Sequence, residues 1–146
     1  MTVLVENRKA TYNYQILDKM EAGIVLLGQE VKALRQKKAS LFGSYVTLKK
    51  EEVFLINCHI SEYQQKNSVD DYDTKRERKL LLRKKEINHL LGKTKERGVS
   101  LIPLRIYTKK KLIKIEIAIA RGKKKYDKRE AIKKREIERE IKREER

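Results

Sequence analysis

The sequence predicts a mainly β fold, a small closed or partly open barrel of about six strands. Three observations predict it. Short apolar runs recur along the first 120 residues, several of them alternating with polar side chains, which is the period of a half-buried strand. Two of these runs, at 45–48 and 53–56, lie close enough to form a hairpin. Few stretches carry the three-to-four-residue stripe of an amphipathic helix.

Taken in order, Tyr12, Tyr14 and Ile16 alternate with polar residues and read as the first strand. Met20, Glu21, Ala22 and Gly23 read as a tight turn, since glycine accepts dihedrals that other residues resist. Residues 24–27 then form a second apolar strand, which Gly28 breaks. Residues 30–35 are short and helix-like, with Val31 and Leu34 on one face. The hairpin strands 45–48 and 53–56 are joined by 49–52, and the polar, partly acidic stretch 64–74 is a loop. Leu80, Leu81 and Leu82 lead into a helix over about 83–96, whose stripe is Ile87, Leu90 and Leu91 and whose stop signal is Gly98. Residues 99–107 and 112–120 are the last two strands. In the second, Ile113, Ile115, Ile117 and Ile119 share one face, with Lys114, Glu116, Ala118 and Ala120 on the other. Pro103 lacks an amide donor, so its strand lies at an edge or carries a bulge there. Short strands with few helices fit an OB-like barrel.

At 146 residues the chain is one domain with an appendage, and the boundary falls in RGKKKYDKR, residues 121–129. Beyond it only Ala131, Ile132, Ile137 and Ile141 are apolar, too few to bury a face. We expect a barrel over 1–125 and a basic tail over 126–146. Pairs such as Lys134–Glu138 and Glu138–Lys142 favour a helix in the tail by only about 0.2–0.5 kcal/mol each. Such a segment is expected to be disordered when free and to fold against a partner.

The formal charge of +17 is unevenly spread: residues 75–97 hold ten basic and three acidic side chains, and 121–135 hold nine and two. Two basic blocks on a small domain are the footprint of a polyanion binder. Cations around Tyr126 suit a phosphate backbone with a base to stack on. One cysteine excludes an internal disulfide framework and fits a reducing, cytoplasmic setting. No apolar run reaches membrane-spanning length, and the tail's three isoleucines are weak anchors for a membrane surface. Neighbours Cys58 and His59 point to opposite faces of a strand, so they cannot act as nucleophile and base. His59 and His89 lack cysteine partners for a metal, and no phosphate-cradling glycine loop occurs. The expectation is a protein without catalytic residues, metal or cofactor.

The stretches NRKATYNY, EAGIVLLGQEVKALR, RERKLLLRKKEI, LIPLRIY and ARGKKKYDKR occur in one order from Asn7 to Arg129. Together they resemble the bacterial small protein B family, the SsrA-binding proteins that partner tmRNA in rescuing stalled ribosomes. The resemblance implies an OB-like barrel with about three flanking helices and a basic tail, disordered in solution and helical when bound. It implies that the body grips the tRNA-like domain of tmRNA while the tail occupies the empty mRNA path at the decoding centre. Partners would be tmRNA, the ribosome with its small-subunit rRNA and, through the tmRNA complex, the tRNA-delivering elongation factor.

By the same resemblance, RNA-binding roles fall on Asn7, Lys9, Glu21, Leu81, Lys114, Gly122, Lys123 and Lys124. Glu30 and Arg35 join them as candidate contacts, although charge placement at a helix start and a helix end explains both equally well. Ribosome-side roles fall on Tyr126, Asp127, Lys128 and Arg129. The lysines can neutralise phosphates, and Asn7 offers both a donor and an acceptor. Glu21 can accept from base amino groups or hold an arginine in place, and otherwise reads as a turn residue with a surface ion pair. Leu81 is nominated by the resemblance alone. Four positions depart from the family's pattern: Arg121 for lysine, Tyr126 for histidine, Thr74 for proline, and Lys110-Lys111 where a glycine or asparagine turn is usual. A general RNA-chaperone barrel without tmRNA specificity is the rival reading, and equal affinity for unrelated structured RNAs would mark it.

Overall fold

The computed structural model describes residues 1–63 and 71–123. The expectations for the tail, for Lys124 and for residues 64–70 lie outside these. Among the described residues the chain runs β1 (Thr2–Glu6), α1 (Ala10–Asn13), β2 (Tyr14–Ile24), α2 (Gly28–Arg35), β3 (Ala39–Ser40), β4 (Tyr45–Lys49), β5 (Glu52–Ile56), β6 (His59–Ile60), β7 (Arg78–Leu81), α3 (Lys84–Thr94), β8 (Val99–Lys109) and β9 (Leu112–Gly122). The main sheet is ordered β1-β8-β4-β5-β7-β2-β9, and β9 pairs again with β8. Six strands therefore close into a ring, as the sequence predicts, with β1 laid along β8 beyond the point where β4 leaves it. Closure pairs each of the six ring strands on both sides, so that β1 alone forms an edge of this sheet among the described residues. A separate ladder joins β3 to β6.

Alternation along β9 decides what is inside. Ile115, Ile117 and Ile119 are buried in the main core beside Leu34, Leu55, Leu80, Leu90 and Ile106, and Ile113 packs at its margin. The opposite face of β9 is not uniformly wet. Ala118 and Ala120 are buried with Ala10 and Ile102 in a second, smaller cluster roofed by α1. Pro103 sits at the expected bulge, where the β8–β9 register shifts between Pro103 and Arg105.

Residues 20–23 form no turn. They continue β2, with Met20 opposite Ile117, Glu21 opposite Glu116, Ala22 opposite Ile115 and Gly23 opposite Lys114. The glycine there serves close approach instead of a left-handed backbone: a Cβ on Gly23 would stand 3.2 Å from the Leu81 Cβ. Ala22 is likewise small and buried. Tyr12 belongs to α1 and not to a strand, and of residues 24–27 only Ile24 is in the sheet. The actual turns fall at Lys50-Glu51 and Lys110-Lys111, where all four residues have positive φ between 48° and 68°. Those are the left-handed pairs that two-residue hairpins of the right twist require.

Glu30 is also corrected. It lies in the first turn of α2, is fully buried, and has no surface to offer an RNA. Its Oε1 accepts from the Leu27 amide at 2.8 Å, closing the N-terminus of α2, and from Arg76 Nη2 at 2.5 Å. Its Oε2 accepts from Arg78 Nε at 2.8 Å and Nη2 at 2.5 Å. Arg78 is equally buried and spends its other donors on the carbonyls of Cys58 and Thr74. The Tyr72 hydroxyl completes the cluster, 3.1 Å from Glu30 Oε2, and its pKa is pushed up to about 12 by burial and by the Glu30 charge. For Glu30 itself burial favours the neutral acid, but the Arg76, Leu27 and Arg78 hydrogen bonds outweigh it and hold the carboxyl below its usual 4.5. One carboxylate thus ties α2 to β7 and to the segments on either side of β6.

Glu30→Ala should strand a buried guanidinium and cost roughly 3–5 kcal/mol of stability, read from urea unfolding. Because the folded-state pKa is lowered, the stabilisation from Glu30 is full above the ordinary value of 4.5 and lost as the pH falls through the folded one. The unfolding midpoint of the unaltered chain should fall across that acid window, and the Glu30→Ala variant should lose that component.

Candidate nucleic-acid interface

The outward face of β9 collects most of the described site residues, in two groups. Register makes the first. Leu81 on β7 is paired with Gly23 on β2, Gly23 with Lys114 on β9, and Lys114 with Tyr107 on β8. Directly opposed residues share a face, so Leu81, Lys114 and Tyr107 stand in one row across four strands. Leu81 is 54% exposed although it sits in an apolar run, because alternation turns Leu80 inward and Leu81 outward.

Glu21 adjoins this row. The Tyr107 hydroxyl donates to its Oε2, and Lys109 Nζ approaches both oxygens at 3.4 and 3.5 Å. The Tyr107 hydrogen bond foremost, with help from Lys109 and Lys114, holds the carboxyl below its usual range against partial desolvation. Reciprocally, burial and the Glu21 charge raise the Tyr107 pKa, so the phenol stays protonated and keeps donating. Arg105 lies 5.9 Å over the Tyr107 ring and pairs with Glu116 at 3.3 Å. Glu21 is thus a fixed, ionised acceptor among cations. Alternation on β8 places Arg105, Tyr107 and Lys109 beside it, a triplet hidden in the sequence because the bulge at Pro103 resets the phase.

The second group surrounds α1, at the other end of β9. Gly122 is opposite Tyr14, eight residues from Lys114 and so roughly 27 Å along the strand. The Lys123 amide donates to the Asn13 carbonyl at 3.1 Å and its ammonium to the Thr11 carbonyl at 2.9 Å. Asn7 donates from Nδ2 to the Pro103 carbonyl at 2.9 Å, and its amide to the Leu104 carbonyl at 2.8 Å, clamping the end of β1 onto the β8 bulge. Lys9 is exposed at the start of α1, with its ammonium 5.4 Å above the Phe42 ring. Lys124, Tyr126, Asp127, Lys128 and Arg129 lie outside the described residues.

Arg35 belongs to neither group. It is exposed in the last turn of α2, where a cation complements the helix dipole. Cys58 is buried and its thiol is pushed up to about 11, chiefly by desolvation, which leaves it an unreactive core residue. Among the described residues no three His, Cys, Asp or Glu side chains gather as a metal site, and no helix is long and apolar enough to cross a membrane.

The chain is 54% identical to an SsrA-binding protein of Wolbachia pipientis subsp. Culex pipiens over 96% of its own length and 94% of the relative's. It is 52% identical to an SsrA-binding protein of Thermosipho africanus, covering 97% of this chain and 95% of that one. A solved structure described as "tmRNA-SmpB: a journey to the center of the bacterial ribosome" superposes with a TM-score of 0.69 at 41% identity, covering 87% of this chain and 92% of the other. The model of the SmpB protein family matches residues 4–146, and the chain belongs to that family.

Proposed function

We propose that the chain binds tmRNA and works with it at the ribosome in trans-translation. Family membership over nearly the whole length carries this reading, since relatives half identical to it are SsrA-binding proteins and the matched structure is of tmRNA with SmpB. The geometry supports it by offering an RNA face. Two groups of cations stand toward the two ends of β9, roughly 27 Å apart along the strand, a spacing that a single folded RNA can span. Phosphate neutralisation by Lys9, Lys114 and Lys123 supplies affinity, and the fixed acceptor Glu21 supplies discrimination, because a carboxylate accepts from base amino groups and repels phosphate.

Labour divides at the end of the barrel. In this reading residues 1–125 hold the tRNA-like domain of tmRNA, and residues 126–146, led by Tyr126, Asp127, Lys128 and Arg129, occupy the mRNA path at the decoding centre. The tRNA-delivering elongation factor joins through the tmRNA complex, and the setting is the cytoplasm. In this reading the role is one of binding, and Cys58 is a core residue sealed from the surface.

Glu21→Ala makes the protein more basic, so a general electrostatic field predicts tighter RNA binding. A specific contact predicts the reverse, a loss of roughly 10- to 100-fold for a hydrogen bond to a charged group. Titration with the tRNA-like fragment of tmRNA and with an unrelated hairpin decides between them, circular dichroism confirming the fold.

Ending the chain after Lys125 should leave the body folded and the affinity for tmRNA within about threefold, since Lys9, Lys114 and Lys123 keep their phosphate contacts. Peptide tagging on ribosomes stalled on truncated mRNA should nevertheless be lost. Normal tagging by the shortened protein would reduce the tail to a solubilising terminus.

A further inference from the structure

Phe42 stands out on the surface. It is 72% exposed, a cost in unburied apolar area, yet the turn that carries it is firmly held. Leu41 beside it is anchored in the core. The Phe42 amide donates to Ser40 Oγ at 3.2 Å, and the Ser44 amide and hydroxyl both donate to the Leu41 carbonyl, at 3.0 and 2.5 Å. Gly43 takes the left-handed φ of 74° that the turn needs, and its carbonyl accepts from Asn57 Nδ2 at 3.1 Å. The ring is therefore pre-positioned, not merely tolerated.

Its surroundings define a ligand. Phe42 and Lys9 wall a cleft of about 290 Å³ whose lining also includes Asn7, Asn13, Tyr14 and Tyr45, the last 50% exposed. No carboxylate lines it. Two presented aromatic rings, a cation over one of them and amide side chains in the same lining are suited to a planar base attached to a phosphate. A peptide helix needs a longer apolar groove, and a basic peptide needs carboxylates. We propose that Phe42 and Tyr45 form a stacking site for one unpaired base of the bound RNA, with Lys9 on its phosphate. The proposal rests on the RNA-binding reading above and adds to it a contact that neither charge nor the β9 register supplies.

The test uses the full-length chain and the tRNA-like fragment of tmRNA. Phe42→Leu, which keeps apolar bulk but removes the π-face, should weaken binding by roughly 5- to 150-fold, the range found when a stacking aromatic is truncated. Phe42→Trp should bind at least as well as the unaltered chain, and the salt dependence of Phe42→Leu should be unchanged, because no phosphate contact is lost. The exposed position should leave thermal stability unaltered in both variants. Unchanged affinity in Phe42→Leu together with weakened binding in Glu21→Ala would overturn the stacking site while leaving the RNA reading intact. Unchanged affinity in both would overturn the RNA face itself. With p-benzoylphenylalanine in place of Phe42, irradiation of the tmRNA complex on ribosomes should cross-link to a nucleotide of tmRNA. Cross-links only to a ribosomal protein, or only within the chain, would overturn the proposal.

Discussion

The rest of the molecule depends on the double pairing of β9. Held by antiparallel ladders to β2 on one side and β8 on the other, it closes the ring and cannot slip without breaking both. A shift of one residue would exchange its faces entirely. Isoleucines at 115, 117 and 119 would then meet water, and Lys114 and Glu116 would enter the core. The apolar face therefore sets the register, and the register aligns Leu81, Gly23, Lys114 and Tyr107 in their row. Function on the outside is positioned by packing on the inside.

The other constraint is the buried charge of Glu30. A carboxylate and a guanidinium without solvent are unfavourable unless nearly every donor and acceptor is used. Here the Leu27 amide, Arg76, Arg78, Tyr72 and two backbone carbonyls meet that demand. The cluster fixes α2 and the approach to β7, and so the position of Leu81. Of the two explanations open for Glu30, the helix-start placement is the one the structure shows, whereas Glu21 stays exposed beside β9.

Strand alternation made the barrel legible. The isoleucine ladder of β9, the hairpin at 49–52 and the bulge at Pro103 all announce themselves by local chemistry. The turn expected at 20–23 failed because glycine has two uses, and only the proximity of Leu81 shows which applies. The burial of Glu30 was hidden for a similar reason. Its partners Arg76 and Arg78 are more than forty residues away, and a basic run reads as solvent-facing until its neighbours are known. Resemblance nominated Asn7, Lys9, Glu21, Leu81, Lys114, Gly122 and Lys123, but it could not say that they divide into two groups. Tyr107, Lys109 and Phe42 went unnoticed because each acts through a contact distant in sequence or through exposure.

If one outward face, centred on β9 and anchored at both ends, receives the RNA, both of its ends respond when RNA is added. Chemical-shift mapping of the labelled full-length chain on adding the tRNA-like fragment of tmRNA tests it most directly. Perturbations should fall in two clusters, at Glu21, Leu81, Tyr107 and Lys114 and at Asn7, Lys9, Gly122 and Lys123, with the hairpin tip at Lys50 and Glu51 unmoved. Perturbations centred on that hairpin, or confined to one end of β9, would contradict it.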